Sequence, residues 1–221
     1  MALSRRLSVI ASLVAKGARI ADIGSDHCAL PIFLFEKGTI DFAFAVENKK
    51  GPFERMKKEI DKSGFPIVPS FSNGLSALPS EVDTLILAGM GGELIRSILS
   101  EGQNKLENVK TIITDAHRER EKVLSWMEEN RFEAIDGEFI LEKGIPYEIV
   151  KWEKTDKEVI YSMKERRFGP IAMRKKGKEW FDYLSKAIDN DEKILLSLPI
   201  ESPKRKRLMQ EIEMMKEEMP K

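Results

Sequence analysis

The residues of this sequence best suited to chemistry lie in short glycine-containing strings that each follow an apolar run. The first is Asp22-Ile23-Gly24-Ser25-Asp26-His27, after Ala18-Arg19-Ile20-Ala21. Glycine there lets the backbone turn tightly and approach a ligand, and the neighbouring side chains offer carboxylates, a hydroxyl and an imidazole. The second run ends in Glu47-Asn48, where a carboxylate can accept both hydroxyls of a ribose. The third is followed by Asn73-Gly74, an amide able to meet the edge of an adenine. The fourth ends in Ala88-Gly89-Met90-Gly91-Gly92, a stretch nearly free of bulky side chains. Four such strings in order point to a cofactor that carries a nucleoside. A dinucleotide fits less well. Gly24 has no G-x-G-x-x-G partners, because positions 26 and 29 are Asp and Ala, and no phosphate cradle is complete.

Other chemistries are disfavoured by residue type. The chain has 2 His and 1 Cys, so a zinc site is not expected. Ser25 lacks a convergent histidine and acid motif, so hydrolase chemistry has no support. Cys28 cannot form an internal disulfide.

These strings need a scaffold that brings strand ends together. Strand-like runs at 18–24, 42–47, 67–71, 84–88 and 111–114 alternate with helical segments at 29–37, 52–63, 93–99 and 119–129. Parallel strands need crossover connections, so this rhythm predicts an α/β fold with a parallel sheet covered on both faces. Two further strands, 132–141 and 146–152, lack an intervening helix and should form a closing hairpin. An amphipathic helix with Leu3, Leu7, Ile10, Ala11 and Val14 opens the chain, and Gly17 is expected to end it. In an open parallel sheet, ligands bind beyond the carboxyl ends of the strands, where all four strings fall.

The texture changes near residue 161. Trp180, Leu184, Ala187, Ile188, Leu195 and Leu198 form one helical stripe, and Leu208, Ile212, Met215 and Met219 a second, with Pro199 and Pro203 between. They predict an antiparallel helical hairpin. The expected division is residues 1–160 as a cofactor-binding domain and 161–221 as a helical domain.

Formal net charge is zero, yet residues 151–221 carry 18 Lys and Arg against 14 Asp and Glu. Such a face is what a phosphate backbone feels. Arg166, Arg167, Arg174, Lys175 and Lys176, with Arg5 and Arg6 of the first helix, are the candidates for RNA contact. No apolar run approaches the roughly 18 residues of a membrane span, and the N-terminus lacks a signal-peptide pattern. A cytoplasmic monomer with no metal and no membrane association is expected.

The architecture resembles that of class I methyltransferases. The strings Ser25-Asp26-His27 with Leu30-Pro31, Gly51-Pro52-Phe53, Asn73-Gly74-Leu75, Ala88-Gly89-Met90-Gly91-Gly92, Tyr147-Glu148, Leu3-Ser4-x-Arg6-Leu7 and Phe168-Gly169-Pro170 resemble one bacterial family, the tRNA adenine-22 N1-methyltransferases. That resemblance covers nearly the whole chain. It implies a Rossmann-like methyltransferase sheet, S-adenosylmethionine as cofactor, a C-terminal coiled-coil-like domain and N1 methylation of an adenine in the D-arm region of tRNA. On this reading Asp22, Gly24, Ser25, Asp26, His27, Glu47, Asn48, Asn73, Gly74, Ala88, Gly89 and Met90 hold the cofactor. Asp26 is the first candidate for stabilising the cationic ring or taking a proton from the exocyclic amine, and Asp115 is the second. The chain departs from the family at Ala29, where Tyr is usual, and at Asp115-Ala116-His117, where Gln-Pro-Asn is usual. The second departure leaves an alternative: a methyltransferase-like protein that binds RNA or cofactor with altered or lost activity. A third reading is an interaction protein whose apolar helical stripes pair with another chain.

Overall fold

A computed structural model describes residues 3–220; the outer limits of the expected domains, residues 1 and 221, lie outside the described residues. Helix α1 (Arg5–Leu13) starts at Ser4, whose hydroxyl accepts from the Leu7 amide and so satisfies one orphan donor of the first turn. It stops before Gly17: Val14 is already extended, and Gly17 serves the turn into the first strand.

Seven strands follow: β1 (Arg19–Ile23), β2 (Phe42–Glu47), β3 (Ile67–Phe71), β4 (Thr84–Met90), β5 (Thr111–Ala116), β6 (Phe132–Glu142) and β7 (Ile145–Lys154). They form one sheet in the order β3-β2-β1-β4-β5-β7-β6. The first five are parallel, and β7 runs antiparallel to both β5 and β6. Pro69 is tolerated because β3 is an edge strand, where one side of the ladder needs no donor. Chain order reverses between β1 and β4, which opens a crevice at their carboxyl ends. β5 runs two residues beyond Thr114, which places Asp115 within the sheet rather than in the loop after it.

The crossover helices are α2 (Ala29–Glu36), α3 (Lys50–Ser63), α4 (Gly92–Glu101) and α5 (Arg120–Glu129). Two apolar clusters cover the sheet. One gathers Leu85, Leu87, Ile95, Leu99, Met127 and Trp152; the other gathers Ile10, Ile20, Leu34, Met56, Ile86 and Ile113.

Beyond β7 the chain forms four helices where the apolar stripes predicted two. α6 (Met163–Phe168) and α7 (Pro170–Lys175) precede the hairpin of α8 (Lys178–Ser197) and α9 (Pro203–Glu218). α6 is held by a reciprocal capping box of Ser162 and Glu165, and α7 begins with proline, whose missing N–H costs nothing at a first helical position. Trp180, Leu184 and Ile188 of α8 pack with Ile212 and Met215 of α9 and with Phe139 of β6. The two stripes therefore bury each other, at about 1.5–3 kcal/mol for each large side chain removed from water. Among the described residues no helix is long and apolar enough to cross a membrane.

Candidate functional site

β1 ends in a tight turn. Gly24 adopts φ +82°, and the amides of Gly24 and Ser25 both donate to the Val46 carbonyl, at 2.8 and 3.0 Å. Those bonds tie the turn to the end of β2. The Ser25 hydroxyl donates to the buried carboxylate of Asp22. Burial pushes the Asp22 carboxyl up to about 6, opposed by that hydrogen bond. Cys28, which precedes α2, is also left-handed, so the turn is specified at both ends.

At the end of β2 the Glu47 carboxylate is buried, and its Oε1 accepts from the amides of Asn48 and Lys49 at 2.9 Å each. The Asn48 and Asn73 side chains are joined by a 3.1 Å hydrogen bond, which links the ends of β2 and β3. β4 closes with a bulge at Gly89, where the register shifts between Ala88 and Met90. A side chain at Gly24 would stand 3.2 Å from Met90 Cε, so the close approach of Met90 to this turn depends on the missing Cβ. The structure thus assembles Asp22, Gly24, Ser25, Glu47, Asn48, Asn73, Ala88, Gly89 and Met90 along adjoining strand ends. Gly74 follows in the loop after β3. A cradle without side chains, a fixed carboxylate and paired amides suit a nucleoside cofactor without a pyrophosphate.

Asp26 and His27 project from the first turn and are half-exposed and exposed. Arg55 of α3 donates to Asp26 Oδ1 at 2.8 Å, and His27 Nε2 lies 3.5 Å from Oδ2. The Asp26 carboxylate therefore arrives with an arginine partner that sequence reading did not supply.

Asp115 stands in a different setting. Its side chain is 0% exposed, and Arg6 Nε lies 2.9 Å from Oδ2. His117 Nε2 is 3.8 Å from the same oxygen. The Arg6 guanidinium also lies 4.4 Å from the ring centre of Tyr147, against which His117 packs edge-on. Burial raises the Asp115 pKa, opposed by the Arg6 and His117 charges. Arg6 Nη2 is also the nearest atom, at 3.8 Å, to where a Gly89 side chain would begin. The Arg6–Asp115–Tyr147 cluster therefore borders the glycine slot. Arg6 was read as an outer RNA contact, and its packing against Tyr147 is visible only in three dimensions. The clue in the sequence was the Leu3-Ser4-x-Arg6-Leu7 string.

The remaining basic candidates are held by internal partners. Arg5 pairs with Glu179, and Arg166 with Glu128. Arg174 donates to the carbonyls of Ala134 and Ile135, and Lys175 to that of Gly137. Lys176 joins Lys164 on Glu218. Arg167 has only a loose contact with Glu211, at 3.4 Å. Much of the basic run thus clamps α6 and α7 to the sheet and to α9. Glu148 completes the clamp from β7 by accepting from the amides of Ile171 and Ala172 at 2.9 and 3.0 Å.

A family model described as a methyltransferase domain matches residues 3–150. The tRNA (adenine(22)-N(1))-methyltransferase of Bacillus subtilis (strain 168) is 34% identical over 162 residues, which span 72% of this chain and 68% of that protein. The chain belongs to this methyltransferase family. Its fold agrees along its whole length. A Streptococcus pneumoniae protein solved in complex with S-adenosyl-L-methionine is 31% identical, covers 99% of this chain and 100% of its own, and superposes with a TM-score of 0.89. The structure of the Bacillus subtilis adenine-22 N1 tRNA methyltransferase TrmK is 28% identical, with 99% of both chains covered and a TM-score of 0.86. The strand-end cradle thus lies on a Rossmann-like methyltransferase sheet.

Proposed function

We propose that this chain methylates N1 of the adenine at position 22 of tRNA, in the D-arm region. The observation that carries this is the Glu47–Gly24–Gly89 cradle on a methyltransferase sheet shared over nearly the whole chain with the adenine-22 enzymes. Asp22, Gly24, Ser25, Glu47, Asn48, Asn73 and Gly74 hold the cofactor, with Glu47 on the ribose and Asn73 toward the adenine. S-adenosylmethionine supplies an electrophilic methyl group on a sulfonium.

The adenine N1 lone pair needs no activating base, since it is free in the neutral ring. The ring gains positive charge as the bond to N1 forms. What the protein contributes is position and a negative field on that ring. Asp26 is the accessible carboxylate at the reacting end, steadied by Arg55. Asp115 acts from beneath, through its hold on Arg6. The base must leave its stack to enter, and Met90 and Tyr147 flank the opening. Of the basic candidates Arg167 is the most loosely held, 3.4 Å from Glu211, and it is the first of them to offer tRNA a contact. The enzyme works in the cytoplasm as a monomer.

The test is incubation with labelled S-adenosylmethionine and two transcripts of one tRNA, with adenine or guanine at position 22. Label in the first alone supports the reading. Equal label in both contradicts it.

A further inference from the structure

Four arginines, differently partnered, meet beside the glycine slot. A cleft opens between the segment after β5 and helix α6, lined by Arg118, Arg120, Arg166 and Arg167. Arg118 is exposed and has no ion-pair partner among the described residues. Arg120 Nη1 is 3.9 Å from the buried Glu148 carboxylate and has no hydrogen bond. Arg167 holds Glu211 only loosely. Glu119 and Glu121 share the lining, and Arg166 and Arg120 face Glu128 and Glu148, so Arg118 and the loosely held Arg167 are the cations this cleft leaves available.

The cleft is joined to the glycine slot through the backbone. The His117 amide donates to the Met90 carbonyl at 3.0 Å, and the Gly92 amide to the Arg118 carbonyl at 2.8 Å. Glu119 is left-handed, which turns the chain sharply between Arg118 and Arg120. Met163 forms an apolar lip and is 80% exposed, a surface on which an unstacked base can lie.

We propose that this cleft receives the RNA backbone beside the target nucleotide, with Arg118 and Arg167 contacting phosphates. The inference rests on the tRNA reading above and adds Arg118 to its RNA contacts. A phosphate contact adds affinity without regard to base sequence and releases counterions. A cation already holding a carboxylate would have to surrender it first. That is why Arg118 is singled out over Lys175 and Lys176.

The test uses the full chain and measures tRNA binding directly at several salt concentrations. Arg118→Glu is expected to weaken binding at least tenfold and Arg118→Ala about threefold, with Arg118→Lys near wild type. The slope of log affinity against log salt should fall by about one for Arg118→Ala. Cofactor affinity should stay within twofold for all three. Lys204→Glu, at the far end of the helical hairpin, should change nothing. Unchanged tRNA binding by Arg118→Glu would overturn the inference, as would an equal loss in Lys204→Glu. Binding is read apart from turnover. A chain that binds tRNA through Arg118 but transfers no methyl would therefore contradict the functional reading and leave the cleft standing.

Discussion

Arg6 Nε lies 2.9 Å from Asp115 Oδ2, and the carboxylate is fully enclosed. α1 is thereby pinned to the carboxyl end of β5, beside the glycine slot. Removing one partner of a buried pair leaves an uncompensated charge, typically at a cost of 3–5 kcal/mol. Arg6→Met is expected to destabilise the fold by roughly that amount. The loss should grow with pH. Without Arg6, the folded-state pKa of Asp115 rises further above its unfolded value. Its contribution to stability is then fully present only below the unfolded pKa and is lost as pH rises through the folded one. Urea unfolding at pH 5 and pH 8 checks this, and an equal loss at both contradicts it.

Asp22 makes a second pH prediction. Its folded pKa of about 6 lies above the ordinary value of 3.8, so its stabilising contribution fades between those values and is gone above them. The shift corresponds to roughly 3 kcal/mol for this fully buried group. Asp22→Asn should therefore raise the melting temperature at pH 7 while weakening cofactor binding. In the wild type, cofactor affinity should fall as pH drops below about 6, and Asp22→Asn should remove that dependence. Calorimetry at pH 5 and pH 7, beside thermal melts, decides it. A pH-independent wild-type affinity rejects the assignment.

Gly24 has no freedom to change. Its φ of +82° and the 3.2 Å approach of Met90 Cε to a side chain there both oppose alanine. Gly24→Ala should weaken S-adenosylmethionine binding more than tenfold while costing only about 1–2 kcal/mol of stability. Equal cofactor affinity in the variant would mean that the ligand does not cross this turn.

How much of this was legible in the sequence differs from site to site. The sheet and the cofactor strings were, because glycine after an apolar run marks a strand end without reference to tertiary contacts. The Arg6–Asp115 pair was not, since it joins residues far apart in sequence and depends on where α1 crosses the sheet. α6 and α7 escaped because each is 6 residues long, too short for an apolar period to show. Arg166, Arg174, Lys175 and Lys176 stand out in the sequence as candidates for RNA contact, yet their partners Glu128, Glu218 and the β6 carbonyls are distant in sequence. Arg118, for which the described residues offer no ion-pair partner, follows directly after the Asp115-Ala116-His117 segment.

Gly169 holds the two halves together by having no side chain. With φ +97°, it lies directly against the Glu148 carboxylate, which a Cβ would overlap. Gly169→Ala should break the bonds from Glu148 to Ile171 and Ala172 and lower stability by at least about 2 kcal/mol. Protease cleavage should then appear in the segment 155–178 before the sheet is attacked. A variant with wild-type melting and cleavage would show that the clamp carries little.

The nitrogen that receives the methyl group decides the reaction. Purified chain, S-adenosylmethionine and unmodified tRNA with adenine at position 22 should yield, after digestion to nucleosides and mass spectrometry, one 1-methyladenosine per tRNA. No 6-methyladenosine should appear, and none of either when position 22 is guanine. A methyl group on N6, or on another nucleoside, or no transfer by a chain that binds both cofactor and tRNA, would contradict it.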